Sequence, residues 1–262
     1  MKINLIYNKE MADYSIALES IENVLIKYNI EFKSFELSKL ENFGDFSFVI
    51  GGDGTLLNAA RYYSQTQIPV LGINLGRLGY LAQTNVENIE NDIEKFLNNQ
   101  YKVEERLMLK SGDFLALNDF TIKGCNPSRT SKFYLEINDK FVCDYIADGL
   151  IISTPTGSTA YGLSAGGPVL HPTLNAIVIV PICPHTLNAR PLVVPDNEVI
   201  KVKTSDELLS VAIDGFVSEQ FVSNITIKVA EKKAKLAFLN DNSFYSVLRN
   251  KLHWGVSPIS NL

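Results

Sequence analysis

Apolar positions recur along this chain in two rhythms. Over the first hundred residues, short β-type runs alternate with stretches whose apolar positions return every three or four residues. Lys2–Tyr7, Phe32–Leu37, Phe46–Ile50 and Ile68–Ile73 read as strands. Ser15–Tyr28 reads as a helix with Ile16, Leu18, Ile21, Val24, Leu25 and Tyr28 toward a core; Leu56–Tyr63 and Val86–Leu97 read as two more, the last with Ile89, Ile93 and Phe96 on one face. Strands alternating with helices predict an α/β domain with a parallel sheet covered on both sides. From Tyr101 onward short alternating or β-branched runs take over, at 133–137, 141–146, 177–180, 199–202, 208–213 and 225–229. That half is predicted to be mostly β. The change of rhythm puts a boundary near Asn98–Tyr101, giving domains 1–99 and 100–262, and a final helical pattern at Phe244–Leu252 is able to pack back on either domain, the first included.

Composition narrows the class. Of 262 residues, 46% are hydrophobic and 20% charged, a balance that supports a folded core and excludes a disordered chain. A net charge of -5 with no long basic block argues against nucleic acid as a partner, so an anionic ligand must be held by local amides, a few basic side chains or a metal. The first residues lack the form of a signal peptide, and apolar runs such as Ala176–Val180 are far too short to span a bilayer. A cytoplasmic protein is expected. Cys125, Cys143 and Cys183 are odd in number and scattered, which predicts reduced, mostly buried thiols. His171 and His253 have no neighbours at metal-ligand spacing.

Three segments carry chemistry. Gly51-Gly52-Asp53-Gly54-Thr55 follows the strand Phe46–Ile50 and opens a helix, so its amides and the helix N-terminus make a phosphate cradle at a strand's carboxyl end. Asp53 would repel phosphate there unless it binds a cation or takes up a proton, both tasks of phosphoryl transfer; the plainer alternative is an Asp that caps the helix. Thr154-Pro155-Thr156-Gly157-Ser158-Thr159-Ala160-Tyr161-Gly162-Leu163-Ser164 follows the strand Gly149–Ser153 and is rich in small hydroxyl residues, suited either to nucleotide edges or to a polar loop, with Asp148 just before the strand. Asn74-Leu75-Gly76-Arg77-Leu78-Gly79-Tyr80-Leu81 follows another strand. Asn118-Asp119 interrupts the apolar run 114–122, and Pro184–Pro191 reads as a rigid turn; taken alone, each reads first as a structural turn.

In this order the segments resemble the NAD kinase family. Gly51–Thr55 alone also resembles lipid kinases and phosphofructokinases, but 74–81, 148–168 and 181–195 are similar to long family signatures, the second almost letter for letter. The resemblance implies an α/β domain followed by a β-rich sandwich-like domain with the site in the cleft between them, a homodimer or homotetramer, and phosphorylation of the adenosine 2'-hydroxyl of NAD by ATP or polyphosphate. It implies Asp53 as proton acceptor, with Gly52, Gly54 and Thr55 along the polyphosphate. Asn118 and Asp119 would hold NAD, Asp148 would meet its nicotinamide end, and Thr156, Thr159, Ala160, Tyr161 and Ser164 would lie along the dinucleotide. Asn74 and Arg129 fall at further contact positions. Mg²⁺ would ride on the donor phosphates, with Asp53 the one candidate protein ligand. Tyr80 replaces a usual Phe, Asp119 a frequent Glu, and Ile146 stands where many members carry Arg. The alternatives are a lipid or sugar kinase sharing only the glycine loop, or a non-catalytic dinucleotide sensor.

Overall fold

The computed structural model describes residues 1–262 except 76–78, 83, 127–128, 187, 205–207, 219, 240–242 and 256–262. The chain divides into two compact units, Met1–Glu105 together with the stretch that begins at Lys235, and Arg106–Ala234. The first unit contains β1 (Lys2–Tyr7), α1 (Tyr14–Lys27), β2 (Glu31–Glu36), β3 (Phe46–Ile50), α2 (Asp53–Ser64), β4 (Val70–Asn74), β5 (Thr84–Asn85), α3 (Ile89–Leu97) and β6 (Lys102–Arg106). The second is built of β7 (Leu109–Ser111), β8 (Phe114–Ala116), β9 (Asp119–Gly124), β10 (Ser131–Ile137), β11 (Lys140–Ala147), β12 (Gly149–Ser153), the short α4 (Tyr161–Ser164), β13 (Ala176–Ile182), β14 (Leu192–Pro195), β15 (Ile200–Thr204), β16 (Leu209–Ile213), β17 (Phe216–Ser218), β18 (Gln220–Val222) and β19 (Asn224–Val229). β20 (Ala234–Phe238) and α5 (Phe244–Leu252) follow.

The first sheet has the order β2-β1-β3-β4-β20-β6, with β1 to β4 and β20 parallel and β5 added beside β4. β3 is buried along its whole length, as a continuous apolar run in a doubly covered parallel sheet should be. Ala17, Ile21 and Leu25 of α1 and Ile89, Ile93 and Phe96 of α3 pack with Ile3, Leu5, Phe46, Phe48 and Ile50. Ile16, expected on that face, is exposed; the smaller Ala17 takes the inward position. The boundary drawn from the change of rhythm at 99/100 differs from the observed division in two places. Lys102–Arg106 adds a strand to the first sheet, and β20 returns from the far end of the chain to lie between β4 and β6.

The second unit is an antiparallel sandwich. One sheet runs β11-β10-β15-β19-β7-β8, the other β14-β13-β12-β9-β16-β17 with β18 on β16. Their inner faces share one core, with Phe133, Leu135, Ile200, Val202 and Ile227 from the first and Phe120, Ile122, Leu150, Ile152, Ile179 and Val211 from the second. The apolar run 114–122 is two strands rather than one. β8 belongs to one sheet and β9 to the other, and Leu117–Asn118 is the step between them. The cysteines do not follow the expected burial: Cys125 and Cys183 are exposed and Cys143 is partly covered. Cys125 and Cys183 come just after the ends of β9 and β13, where the sandwich core no longer surrounds the chain. No helix among the described residues is long and apolar enough to cross a membrane.

Candidate functional site

In the first unit the site begins where β3 ends. Gly51 donates its N–H to Ile73 O of the neighbouring parallel β4 (2.9 Å), and its φ of 155° suits glycine. A Cβ there would also lie 2.6 Å from Thr55 Oγ1. Gly52 is the N-cap residue of α2, and the amides of Asp53, Gly54 and Thr55 form the helix's first turn, where no intrahelical acceptor exists. A Cβ on Gly52 or Gly54 would meet no atom of the described residues within 4 Å. Packing therefore gives no reason for glycine at either position, whereas close approach of an anion to bare main chain does. Asn74, at the matching end of β4, is buried at 8% exposure.

The N-cap position of α2 is Gly52, and among the described residues Asp53 meets no amide of its own helix with its carboxylate. Its carboxylate instead accepts three backbone N–H groups from the segment after β4, with Tyr80 N at 2.8 Å from Oδ2, and Leu81 N and Ala82 N each at 3.1 Å from Oδ1. Gly79 makes this approach possible, because a Cβ on it would fall 2.0 Å from Asp53 Oδ1. The negative side chain is thus engaged by a row of amides, which offsets its charge beside an anion cradle. Oδ1 takes two donors and Oδ2 one, so Oδ2 keeps the more open lone pair. Burial and the nearby Asp53 charge raise the Tyr80 phenol above its ordinary range. The middle of the 74–81 motif, residues 76–78, lies outside the described residues.

In the second unit the step Leu117–Asn118 and the start of β9 are held from two sides. Asn118 O accepts from Thr154 N (2.8 Å) and Ser153 Oγ (3.2 Å), and Thr154 Oγ1 donates to Leu117 O (2.6 Å). Gly157 presses on the same peptide, since a Cβ there would sit 2.2 Å from Asn118 O. On the other side stands Asp214, a residue the sequence motifs do not single out. Its carboxylate accepts from Leu117 N, Asn118 N and Asp119 N. The Asp214-Gly215 pair is legible as a hairpin turn, but nothing local says which amides its carboxylate meets. Asp119 is buried at 3% exposure and accepts from Thr121 Oγ1 (3.0 Å). Burial pushes its carboxyl up to about 6, the Thr121 hydroxyl opposes the shift, and the Asp214 charge adds to it. The Thr156 hydroxyl is buried and makes no hydrogen bond among the described residues.

Not every residue drawn from the resemblance falls at this corner. β9 and β12 are antiparallel with Asp119 opposite Ser153 and Lys123 opposite Gly149, so Asp148, before β12, and Arg129, beyond β9, lie toward the far end of the sheet. Five strand residues make that separation about 16 Å. The segment 156–164 spans both ends: Gly157 touches Asn118, while the exposed Tyr161 ring has Lys123 Nζ 5.8 Å from its centroid. Thr159 and Ala160 are half-buried and Ser164 exposed along this path. Lys123 is a cation that sequence reasoning passed over. Leu187, within the Pro184–Pro191 turn, is outside the described residues.

Residues 8–101 match the ATP-NAD kinase N-terminal domain family, and residues 117–240 match the ATP-NAD kinase C-terminal domain family. The two units thus carry the two domains of one kinase class. An NAD kinase of Pseudomonas putida is 43% identical over 225 residues, covering 80% of this chain and 76% of that protein. One of Ectopseudomonas mendocina is 40% identical over 251 residues, covering 90% and 84%. The crystal structure of an NAD kinase from Archaeoglobus fulgidus in complex with ATP is similar with a TM-score of 0.81 at 30% identity, over 97% of this chain and 99% of that one. Yeast NADH kinase complexed with NADH has the same fold, with a TM-score of 0.84 at 23% identity over 98% and 89%. The chain belongs to the NAD kinase family.

Proposed function

We propose that this protein transfers a phosphoryl group from ATP, or from polyphosphate, to the 2'-hydroxyl of the adenosine ribose of NAD, giving NADP. The observation that carries this reading is the Asp53 carboxylate, tethered by three amides at the opening of a helix where, among the described residues, nothing lies within 4 Å of the place a Cβ on Gly52 or Gly54 would take. A ribose hydroxyl needs a fixed base and neutralised charge more than covalent help. Asp53 Oδ2, the less encumbered oxygen, takes the hydroxyl proton as the ribose oxygen bonds to the terminal phosphorus; the bond from that phosphorus to the bridging oxygen breaks, and ADP, or polyphosphate one unit shorter, leaves. The amides of Gly52, Asp53, Gly54 and Thr55 offer donors to the polyphosphate. Asn118 and the buried Thr156 hydroxyl offer hydrogen bonds to the dinucleotide.

Mg²⁺ fits this scheme as an ion brought by the donor. Among the described residues no group of three His, Cys, Asp or Glu side chains gathers into a cage, and Asp53 has one oxygen with a lone pair to spare. The ion supplies charge neutralisation on the phosphates. Chelation with EDTA is expected to abolish turnover, and Mg²⁺ to restore it. We further assign the protein to the cytoplasm as a homo-oligomer. The exposed Phe141, Val142 and Ile146 on the edge strand β11 support self-association, and His185 of the proline-bounded turn donates its backbone N–H to Ile146 O.

The test is NADP formation from NAD, ATP and Mg²⁺ by wild type and Asp53→Asn. The variant is expected to lose about 10²- to 10⁴-fold in kcat, the usual worth of a general base. Because an Asn amide would turn a donor toward one of the three backbone N–H groups, NAD binding by calorimetry accompanies the assay, with little change expected. Wild-type turnover by the variant removes the proposed base, and NAD binding without product by the wild type returns the sensor reading.

A further inference from the structure

The reading of Asn118 as a holder of the dinucleotide raises the question of what fixes Asn118, and the following rests on that reading. Leu117 and Asn118 leave one sheet and Asp119 starts another, so the amides at this step are not served by a continuous ladder. All three converge on one carboxylate: Leu117 N lies 3.0 Å from Asp214 Oδ2, and Asn118 N and Asp119 N lie 2.7 and 3.1 Å from Oδ1. Asp214 is buried at 8% exposure and sits in the left-handed region (φ 50°) at the tip of the β16–β17 hairpin. Its own N–H returns to Asp119 O (3.0 Å), so hairpin tip and step are locked to each other. Thr154 and Ser153 grip the carbonyl of the same Asn118 peptide, and Gly157 packs against it. With its main chain held on both sides, the half-buried Asn118 carboxamide makes no hydrogen bond among the described residues.

We propose that Asp214 is a positioning residue for NAD binding: its carboxylate gathers the Leu117, Asn118 and Asp119 amides and thereby sets the direction in which the Asn118 side chain is offered to the dinucleotide. Asp214 acts through main chain and itself touches no substrate. Three charge-assisted hydrogen bonds into a buried corner are a large share of what can hold such a step in one conformation.

The experiment pairs steady-state kinetics with amide hydrogen exchange on Asp214→Asn and Asp214→Ala. Asn keeps an acceptor for the Asn118 and Asp119 amides but points an N–H at Leu117; Ala removes every acceptor. The KM for NAD is expected to rise about tenfold in the first and about a hundredfold in the second, since each tenfold step corresponds to a loss well within the worth of a hydrogen bond to a charged group. The KM for ATP should stay within about twofold, because loss of bulk stability alone would not single out one substrate. Exchange at residues 117–119 should quicken in the same order. If Ala does not fold, the Asn variant carries the test alone. A folded variant with faster exchange and unchanged NAD affinity, or one whose three amides stay protected, overturns the proposal. Wild-type protein that neither binds nor phosphorylates NAD overturns the parent reading, whereas NAD binding equal in wild type and variants overturns this inference alone.

Discussion

Gly79 and Gly54 both follow Asp53 in the chain but serve different purposes, and their substitutions are expected to part company. A methyl group at Gly79 would overlap the Asp53 carboxylate, so Gly79→Ala must displace the side chain or the amides that hold it. A displacement near 1 Å at a reacting group costs about 10²-fold, and kcat for NADP formation should fall by that order. Gly54→Ala meets nothing among the described residues and should leave thermal unfolding within about 0.5 kcal/mol of wild type while raising the KM for ATP. Asp119 supplies a pH signature. Burial pushes its carboxyl up to about 6, well above the ordinary carboxylate range, so this group favours the fold when protonated. That contribution is fully present below about pH 4 and is lost as pH rises through 6. Asp119→Asn, which can still accept from Thr121, should flatten that part of the stability profile and gain roughly 2–3 kcal/mol at pH 7, read by urea unfolding from pH 4 to 8.

At the scale of elements, strands and helices that satisfy themselves locally were legible. β3 matches the apolar run Phe46–Ile50 residue for residue, and α5 matches Phe244–Leu252, because period and length suffice for a buried strand or a helix with an apolar stripe. The run 114–122 was not, since an apolar pattern interrupted by Asn118-Asp119 does not show that the chain changes sheets there. That change is what makes Asn118 more than a turn residue: it leaves polar groups that Thr154, Ser153 and Asp214 must satisfy. Gly157→Ala would drive a methyl into the Asn118 carbonyl, and is expected to destabilise by about 1–3 kcal/mol and to raise the KM for NAD, measured by unfolding and kinetics on one preparation.

For the whole molecule the decisive feature is β20, a strand contributed from beyond the sandwich to the interior of the first sheet, with Leu236 opposite Val70. Removing the chain from Lys235 onward would strip β4 of one of its neighbours and separate β6 from the sheet. A truncation of that kind is expected to lose cooperative unfolding of the first unit by circular dichroism, even though every residue of the glycine loop remains.

The alternation of strand and helix, the shift to β runs after residue 100, and the placement of the glycine loop at a strand's carboxyl end were properties of the sequence itself, because each follows from contacts between near neighbours or from the period of burial. Tertiary structure alone decided that Asp53 is held by Tyr80, Leu81 and Ala82, that Gly79 clears space for it, and that Asp214 reaches back to residues 117–119. Hydrogen bonds between segments distant along the chain leave no periodic trace, since they depend on where the backbone returns in space and on which buried donors are left without a partner.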